Sequence, residues 1–327
     1  MKRNLHAGKH LNGGLSLNIL TDDEVNEIHL GTLEILETTG LFIEGKEALD
    51  CFEKSGAMVD RDKKIVKIPQ FIVEDAIRSA PSKVILYGRD PRHDIVLEGN
   101  RVHFTNFSQG IMINDPYTGE YREPVKQDLV NSAKVIDYLD EVDFCEKALG
   151  AQDVPLESVP LHNAEAYLTN TTKHCAFGVT GGKLLKKIIE MAAAIAGGMD
   201  KLKDRPLVSF TTCPVSPLKL INESCEIIME SARAGLVCNI TSMALAGATA
   251  PVTLAGALVT HNAEILGGLT LSQLTRRGAP VIYGSSTTAM DLKLAAATVG
   301  TPECALVSGA VVRLARYYAL PSYVAGG

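Results

Sequence analysis

Leu236-Val-Cys-Asn-Ile-Thr241 and Pro280-Val-Ile-Tyr-Gly284 are short, β-rich apolar runs that give way to polar or Gly-rich loops. Similar runs occupy 142–150, 174–180, 207–214 and 322–325, and longer helical stretches separate them. The starts of the six runs lie roughly 30–45 residues apart, the spacing of βα units that close a parallel barrel or build an open doubly wound sheet. A (β/α)8 TIM-type barrel needs eight strands, so about six of them are legible here. In that fold the loop after each strand's C-terminal end carries the functional residues. The last run leads directly to Gly326 and Gly327.

Upstream the pattern is different. Residues 1–20 are rich in Gly, Asn and His and read as an ill-ordered arm. Thr21-Asp-Asp-Glu24 is a capping box that opens a helix, which Gly40 ends. Helices follow over about 45–55 and 69–80, with short strands predicted at 64–68, 84–87, 95–97, 102–105 and 111–114. Asp115-Pro-Tyr-Thr-Gly119 supplies turn chemistry. Residues 21–140 therefore read as an α+β appendage with a linking helix, and 141–327 as the partial barrel. Later helices are expected near 156–172, 182–197, 219–234, 251–276, 291–298 and 302–318.

The chain carries a net charge of −6, with 46% hydrophobic and 21% charged residues. That balance fits a soluble globular protein and argues against a nucleic-acid surface. No secretory signal opens the chain, and polar residues punctuate its longest apolar stretch, 245–274, so no membrane span is expected. Seven cysteines without a CxxC pair read as reduced thiols in a cytoplasmic protein.

Hydroxyl and amide clusters end the candidate strands: Gln152-Asp153, Thr180-Gly181-Gly182, Thr212-Cys213-Pro214 with Ser216, Thr241-Ser242-Met243, and Gly284-Ser285-Ser286-Thr287-Thr288. Such a polar, weakly charged rim suits a small neutral or cationic molecule, although each hydroxyl can equally cap the next helix. No zinc cage is expected. His174 and Cys175 open their strand, Cys238 lies inside one, and alternation sends neighbours to opposite faces. Walker, dinucleotide and GxSxG fingerprints are missing. His261 and Glu264 read as a satisfied buried polar pair. Glu303 follows Gly300-Thr-Pro302 at a helix start, where the helix dipole favours a carboxylate.

Longer stretches carry a resemblance. Ala246-Gly-Ala-Thr-Ala-Pro-Val-Thr-Leu-Ala-Gly-Ala-Leu-Val259 is similar to the trimethylamine methyltransferase family. So are Asn262-Ala-Glu-Ile-Leu266, Gly278-Ala-Pro-Val-Ile-Tyr-Gly284, Met290-Asp291, Gly300-Thr-Pro-Glu303 and Leu320-Pro-Ser-Tyr-Val-Ala-Gly-Gly327. Upstream, Gly88-Arg-Asp-Pro91, the Asp115–Gly119 turn, Arg122, Pro124, Asp128 and Ser216-Pro-Leu218 match it too. The run Thr105-Asn-Phe-Ser-Gln-Gly110 departs from it, since many relatives are glycine-rich there.

The resemblance implies a (β/α)8 barrel with an N-terminal appendage. It also implies transfer of a methyl group from a tertiary or quaternary amine to the Co(I) corrinoid of a separate protein. This chain would bind no cofactor itself; its partners would be the cognate corrinoid protein and a small methylated amine. Trimethylamine is the expected donor, with a glycine betaine or other quaternary amine as the alternative. A further alternative is an inactive truncated product or a docking module for the corrinoid protein. Trimethylamine members carry pyrrolysine after the Ala-Gly-Gly that closes this sequence, so pyrrolysine is expected at position 328 of a longer protein that forms a homo-oligomer. On this reading Glu303 and Asp291 are the catalytic candidates. Asn106, Phe107, Tyr283, Ser285, Ser286 and Thr287 are the substrate-binding candidates, because oxygens and ring faces orient an ammonium without a nucleophile.

Overall fold

The computed structural model describes residues 19–99 and 101–325. The expected arm at 1–20 lies largely outside the described residues. Within-chain contacts group the rest into two compact units, 85–211 and 19–84 with 212–325.

The first unit holds three parallel strands, β1 (Cys145–Glu146), β2 (Cys175–Gly178) and β3 (Val208–Thr212). Cys145 pairs with Cys175, and Val208 to Thr211 pair with Cys175 to Gly178. Helices Lys126–Tyr138, Val159–Asn170 and Gly182–Ala196 accompany them. The first strand is much shorter than its apolar run, because only Cys145 and Glu146 are in ladder register. The expected strand at 102–105 reduces to one bridge, Thr105 to Phe144, and the one at 111–114 to Ile113–Asn114. Asp115 builds the predicted turn by accepting from the N–H groups of Tyr117 (2.9 Å) and Thr118 (3.0 Å). Arg122 then clamps Asp115 and Asp128, holding the Asp115 carboxyl down to about 2.

The second unit starts at the predicted capping box. Glu24 N–H donates to Thr21 Oγ1 (3.3 Å) and Thr21 N–H donates to Glu24 Oε2 (2.7 Å). Helix Asp22–Glu34 continues as a π-turn, Ile35–Thr39, which stops at Gly40. Three further parallel strands follow, β4 (Cys238–Ser242), β5 (Val281–Ser285) and β6 (Ser322–Val324). Thr241 is in register with Gly284, and Gly284 with Tyr323.

The long helix Leu254–Thr275 organises this unit. Sixteen of its 22 residues are buried, because helices Asp22–Glu34, Gln70–Ser79 and Asn222–Ala234 pack around it and β4 lies beneath. A Cβ on Gly267 would sit 2.0 Å from Leu41 Cδ1, so glycine there sets how closely the helix approaches Leu41–Ile43. No helix among the described residues is long and apolar enough to cross a membrane.

Two expectations are corrected. The helix expected at 291–298 is a hairpin, Thr288–Asp291 against Ala296–Ala297. Asp291 Oδ1 accepts from Lys293 N–H (2.8 Å) and Leu294 N–H (3.0 Å), a local turn that outcompetes the helix propensity of Leu-Lys-Leu-Ala-Ala-Ala. The helix expected from 219 starts at Asn222, because Lys219–Leu220 pairs as a parallel strand with Phe42 and Ile43.

Candidate functional site

Alternation along β4 and β5 decides what each residue can do. Ile240 points to the long helix, where its Cδ1 meets Gly268, and Ser242 Oγ donates to Glu264 Oε2 (2.6 Å). On β5, Tyr283 OH donates to Asn262 Oδ1 on that same helix (2.6 Å). Asn239 and Thr241 therefore face the other way, together with Ile282 and Gly284.

The helix-facing side carries a buried polar network. Glu264, 1% exposed, accepts from Ser242 Oγ, from Ser216 Oγ (2.9 Å) and from Leu218 N–H (2.9 Å). Burial pushes its carboxyl above the usual range, and the three donors only partly offset that. Asn262 donates to Thr32 Oγ1 (2.9 Å) and to Tyr318 OH (2.8 Å), which in turn meets His29 Nδ1 (3.1 Å). His261 Nδ1 lies 3.0 Å from Thr287 Oγ1, while Nε2 has no described partner. Burial lowers the imidazole pKa to about 3, so His261 is neutral.

The opposite face is different. Asn239 Oδ1 and Thr241 Oγ1 are buried, and no described residue donates to either. Both converge on Gly284, where an added Cβ would lie 2.4 Å from each oxygen. The register puts Tyr323 on the same face, beside Gly284 on its other side.

The residues proposed from sequence divide accordingly. Ser285 ends β5, and Ser286 and Thr287 link it to the next strand at Thr288. Ser286 N–H donates to Ser242 O (2.8 Å), and Ser285 Oγ accepts from Thr287 N–H (3.1 Å). Tyr283 is fully buried in the helix-facing network. Asp291 holds the hairpin turn through its carboxylate, and Glu303 is exposed in the first turn of helix Pro302–Tyr317, where Thr301 is the cap. In the first unit, Asn106 is tied to β1: it donates to Glu146 O (2.9 Å) and accepts from Glu146 N–H (3.0 Å). Phe107 is 81% exposed. A cavity of about 640 Å³ in that unit is lined by Asn106, Tyr117, Arg122, Val135 and Leu139 among others. His261 and Glu264 meet different partners instead of each other.

The profile of the trimethylamine methyltransferase (MTTB) family matches residues 4–327. The chain is 52% identical, over 96% of its length and 63% of the relative's, to trimethylamine methyltransferase MttB of Desulfitobacterium hafniense. It is 34% identical, over 95% of its length and 64% of the relative's, to a glycine betaine methyltransferase of the same species. The chain thus spans about two thirds of the length of these relatives. The crystal structure of the Methanosarcina barkeri monomethylamine methyltransferase (MtmB) is similar over 93% of this chain and 67% of that one. The TM-score is 0.53 at 13% identity, a likeness of fold.

Proposed function

Because the chain belongs to the trimethylamine methyltransferase family, we propose that its parallel strands are part of a (β/α)8 barrel serving methyl transfer from trimethylamine. The acceptor is the cobalt of a corrinoid held by a separate protein. On this reading the corrinoid belongs to the partner, whose cobalt supplies the acceptor of the methyl group. This chain's residues bind and orient the amine as trimethylammonium, and the departing nitrogen keeps its proton and the electron pair of the broken N–C bond, leaving as neutral dimethylamine. An N-methyl group is a poor electrophile, so orientation over the acceptor is what the protein contributes to rate.

The observation that carries the choice of amine is the gap between 52% identity to a trimethylamine methyltransferase and 34% to a glycine betaine methyltransferase. The test is methylation of the reduced cognate corrinoid protein by the protein purified from its own cells, followed by the corrinoid absorbance spectrum. Trimethylamine should drive the change and glycine betaine should not. A response to betaine alone would move the protein to the other branch, and no response to either would refute the activity.

A further inference from the structure

We infer that Gln109, its side-chain amide seated on Gly178 at the C-terminal end of β2, is a specificity-determining residue whose Oε1 accepts the N–H of a protonated tertiary amine. The inference rests on the reading above, that the substrate is a methylated amine, and adds which kind of ammonium is selected. Three observations carry it, and all lie within the first unit.

The first is where and how the residue is held. Residues 105–110 run alongside β1 in the parallel sense, with bridges from Thr105 to Phe144 and from Gly110 to Leu149. Asn106 exchanges two side-chain bonds with the backbone of Glu146. Gln109 N–H donates to Lys147 O (3.0 Å) and Gly110 N–H to Ala148 O (2.8 Å). Gln109 is thereby carried to the C-terminal end of the strands, the end at which parallel sheets place their ligands. Its φ is 70°, a left-handed value that a residue with a Cβ adopts at a cost and keeps only where its surroundings impose it.

The second is the seat. A Cβ on Gly178 would lie 2.8 Å from Gln109 Nε2 and 3.8 Å from its Cδ, so the glycine makes room for the amide. The nitrogen is the atom turned to the strand, while Oε1 lies more than 4 Å from the same point and is turned away from it. Packing on Gly178 thus places the amide, and no described residue hydrogen-bonds it. Gln109 is exposed, so a ligand reaches it from solvent and finds an acceptor that the protein itself does not use.

The third is the match to the chemistry of a tertiary ammonium. Protonated trimethylamine has one N–H, and its charge strengthens the hydrogen bond it gives to an amide oxygen. A quaternary ammonium has no N–H, so only its methyl hydrogens meet the same oxygen, and they are held more weakly. A residue that bonds a substrate N–H discriminates against the analogue that lacks it. Oε1 therefore favours the tertiary amine over a quaternary one of similar size.

The test uses the protein purified from its native cells or made in a host able to complete it, with trimethylammonium chloride and tetramethylammonium chloride as the probes. Binding of both is read by calorimetry, and methyl transfer from trimethylamine by steady-state kinetics. Gln109→Gly suits the left-handed backbone and removes the oxygen. It should weaken trimethylammonium binding and raise KM about tenfold, the loss of one hydrogen bond to a charged group. Tetramethylammonium binding should not change, and the unfolding temperature should hold or rise. Gln109→Met, of similar length but without the acceptor, should show the same loss of selectivity. Gln109→Glu, which keeps an acceptor of the same shape, should retain the preference for trimethylammonium. A merely structural Gln109 would shift the unfolding temperature and leave the ratio of the two affinities alone. An unchanged ratio in Gln109→Gly and Gln109→Met overturns the assignment while leaving the methyltransferase reading standing. A wild-type protein that binds neither probe and does not methylate its corrinoid partner overturns that reading, and the assignment with it.

Discussion

Glu264 offers the sharpest test of how the second unit is held together. Its carboxylate gathers three donors from two segments: Ser216 Oγ and the backbone N–H of Leu218 in one loop, and Ser242 Oγ on β4. Glu264→Ala removes all three bonds at once. The two serine hydroxyls can rotate toward other acceptors, but the Leu218 N–H is fixed and is left without its partner. One stranded buried donor costs about 1–3 kcal/mol, and the missing methylenes add a cavity penalty of similar size. Glu264→Ala should therefore destabilise the protein by about 3–5 kcal/mol. Glu264→Gln behaves differently. Its oxygen can keep the Leu218 N–H, and its NH2 can donate to the two serine oxygens once their hydroxyls turn. It should stay within about 1 kcal/mol of wild type. The pH dependence has a definite sign. Burial raises the folded-state pKa of Glu264 above its ordinary value of 4.5. The protonated form thus favours folding, and that contribution is complete below 4.5 and lost as pH rises through the folded value. Relative to Glu264→Gln, wild type should lose stability as pH rises above about 4.5. Urea unfolding of the three proteins across that range checks it. If Glu264→Gln is as damaging as Glu264→Ala, the charge itself is required and this reasoning fails. A flat difference between wild type and Glu264→Gln across pH would refute the burial argument separately.

Three more outcomes follow from the geometry. Tyr283→Phe removes the donor to Asn262 Oδ1 in a fully buried setting, so urea unfolding should show a loss of about 1–3 kcal/mol. Lys173→Met strands the carbonyls of Ile136, Leu139 and Val142, which its ammonium now meets at 2.6–2.7 Å, and should cost about 3–5 kcal/mol in the same assay. Glu303→Gln should cost no more than about 1 kcal/mol, since the residue is exposed and Thr301 caps the helix, yet lower methyl transfer at least several-fold. Wild-type turnover in that variant would reduce Glu303 to a helix-end charge.

Much of the scaffold was legible because local rules and tertiary packing agree. The Thr21 and Glu24 capping box, the stop at Gly40 and the Asp115 turn all form as their sequences dictate. The parallel strands sit inside their apolar runs, though β1 keeps only the two residues that reach register with β2. The failures are places where a non-local or side-chain interaction overrode the periodicity. Residues 291–297 have good helix formers, but the Asp291 carboxylate closes a turn within its own segment and the chain folds into a hairpin. Lys219 and Leu220 look like the start of a helix until a partner strand about 180 residues upstream is present to pair with them.

Site residues were harder to read because composition marks a strand end as polar without saying which face each oxygen takes. Tyr283 reads in sequence as a substrate contact and Ser285 and Thr287 as rim residues, yet Tyr283 turns to the long helix and joins Asn262, and Thr287, just past β5, approaches His261. The even positions, Ile282 and Gly284, share the face of Asn239 and Thr241. One strand pair thus carries two chemistries. The face that holds the bonds of Glu264, Asn262 and Tyr283 fixes the helix against the sheet, and a change to one of them lowers stability. The other face buries Asn239 Oδ1 and Thr241 Oγ1 over Gly284 with no donor among the described residues. That asymmetry is set by a period of two, and it makes glycine the residue that fits at 284, because any Cβ there would meet Asn239 Oδ1, Thr241 Oγ1 and Ile240 O.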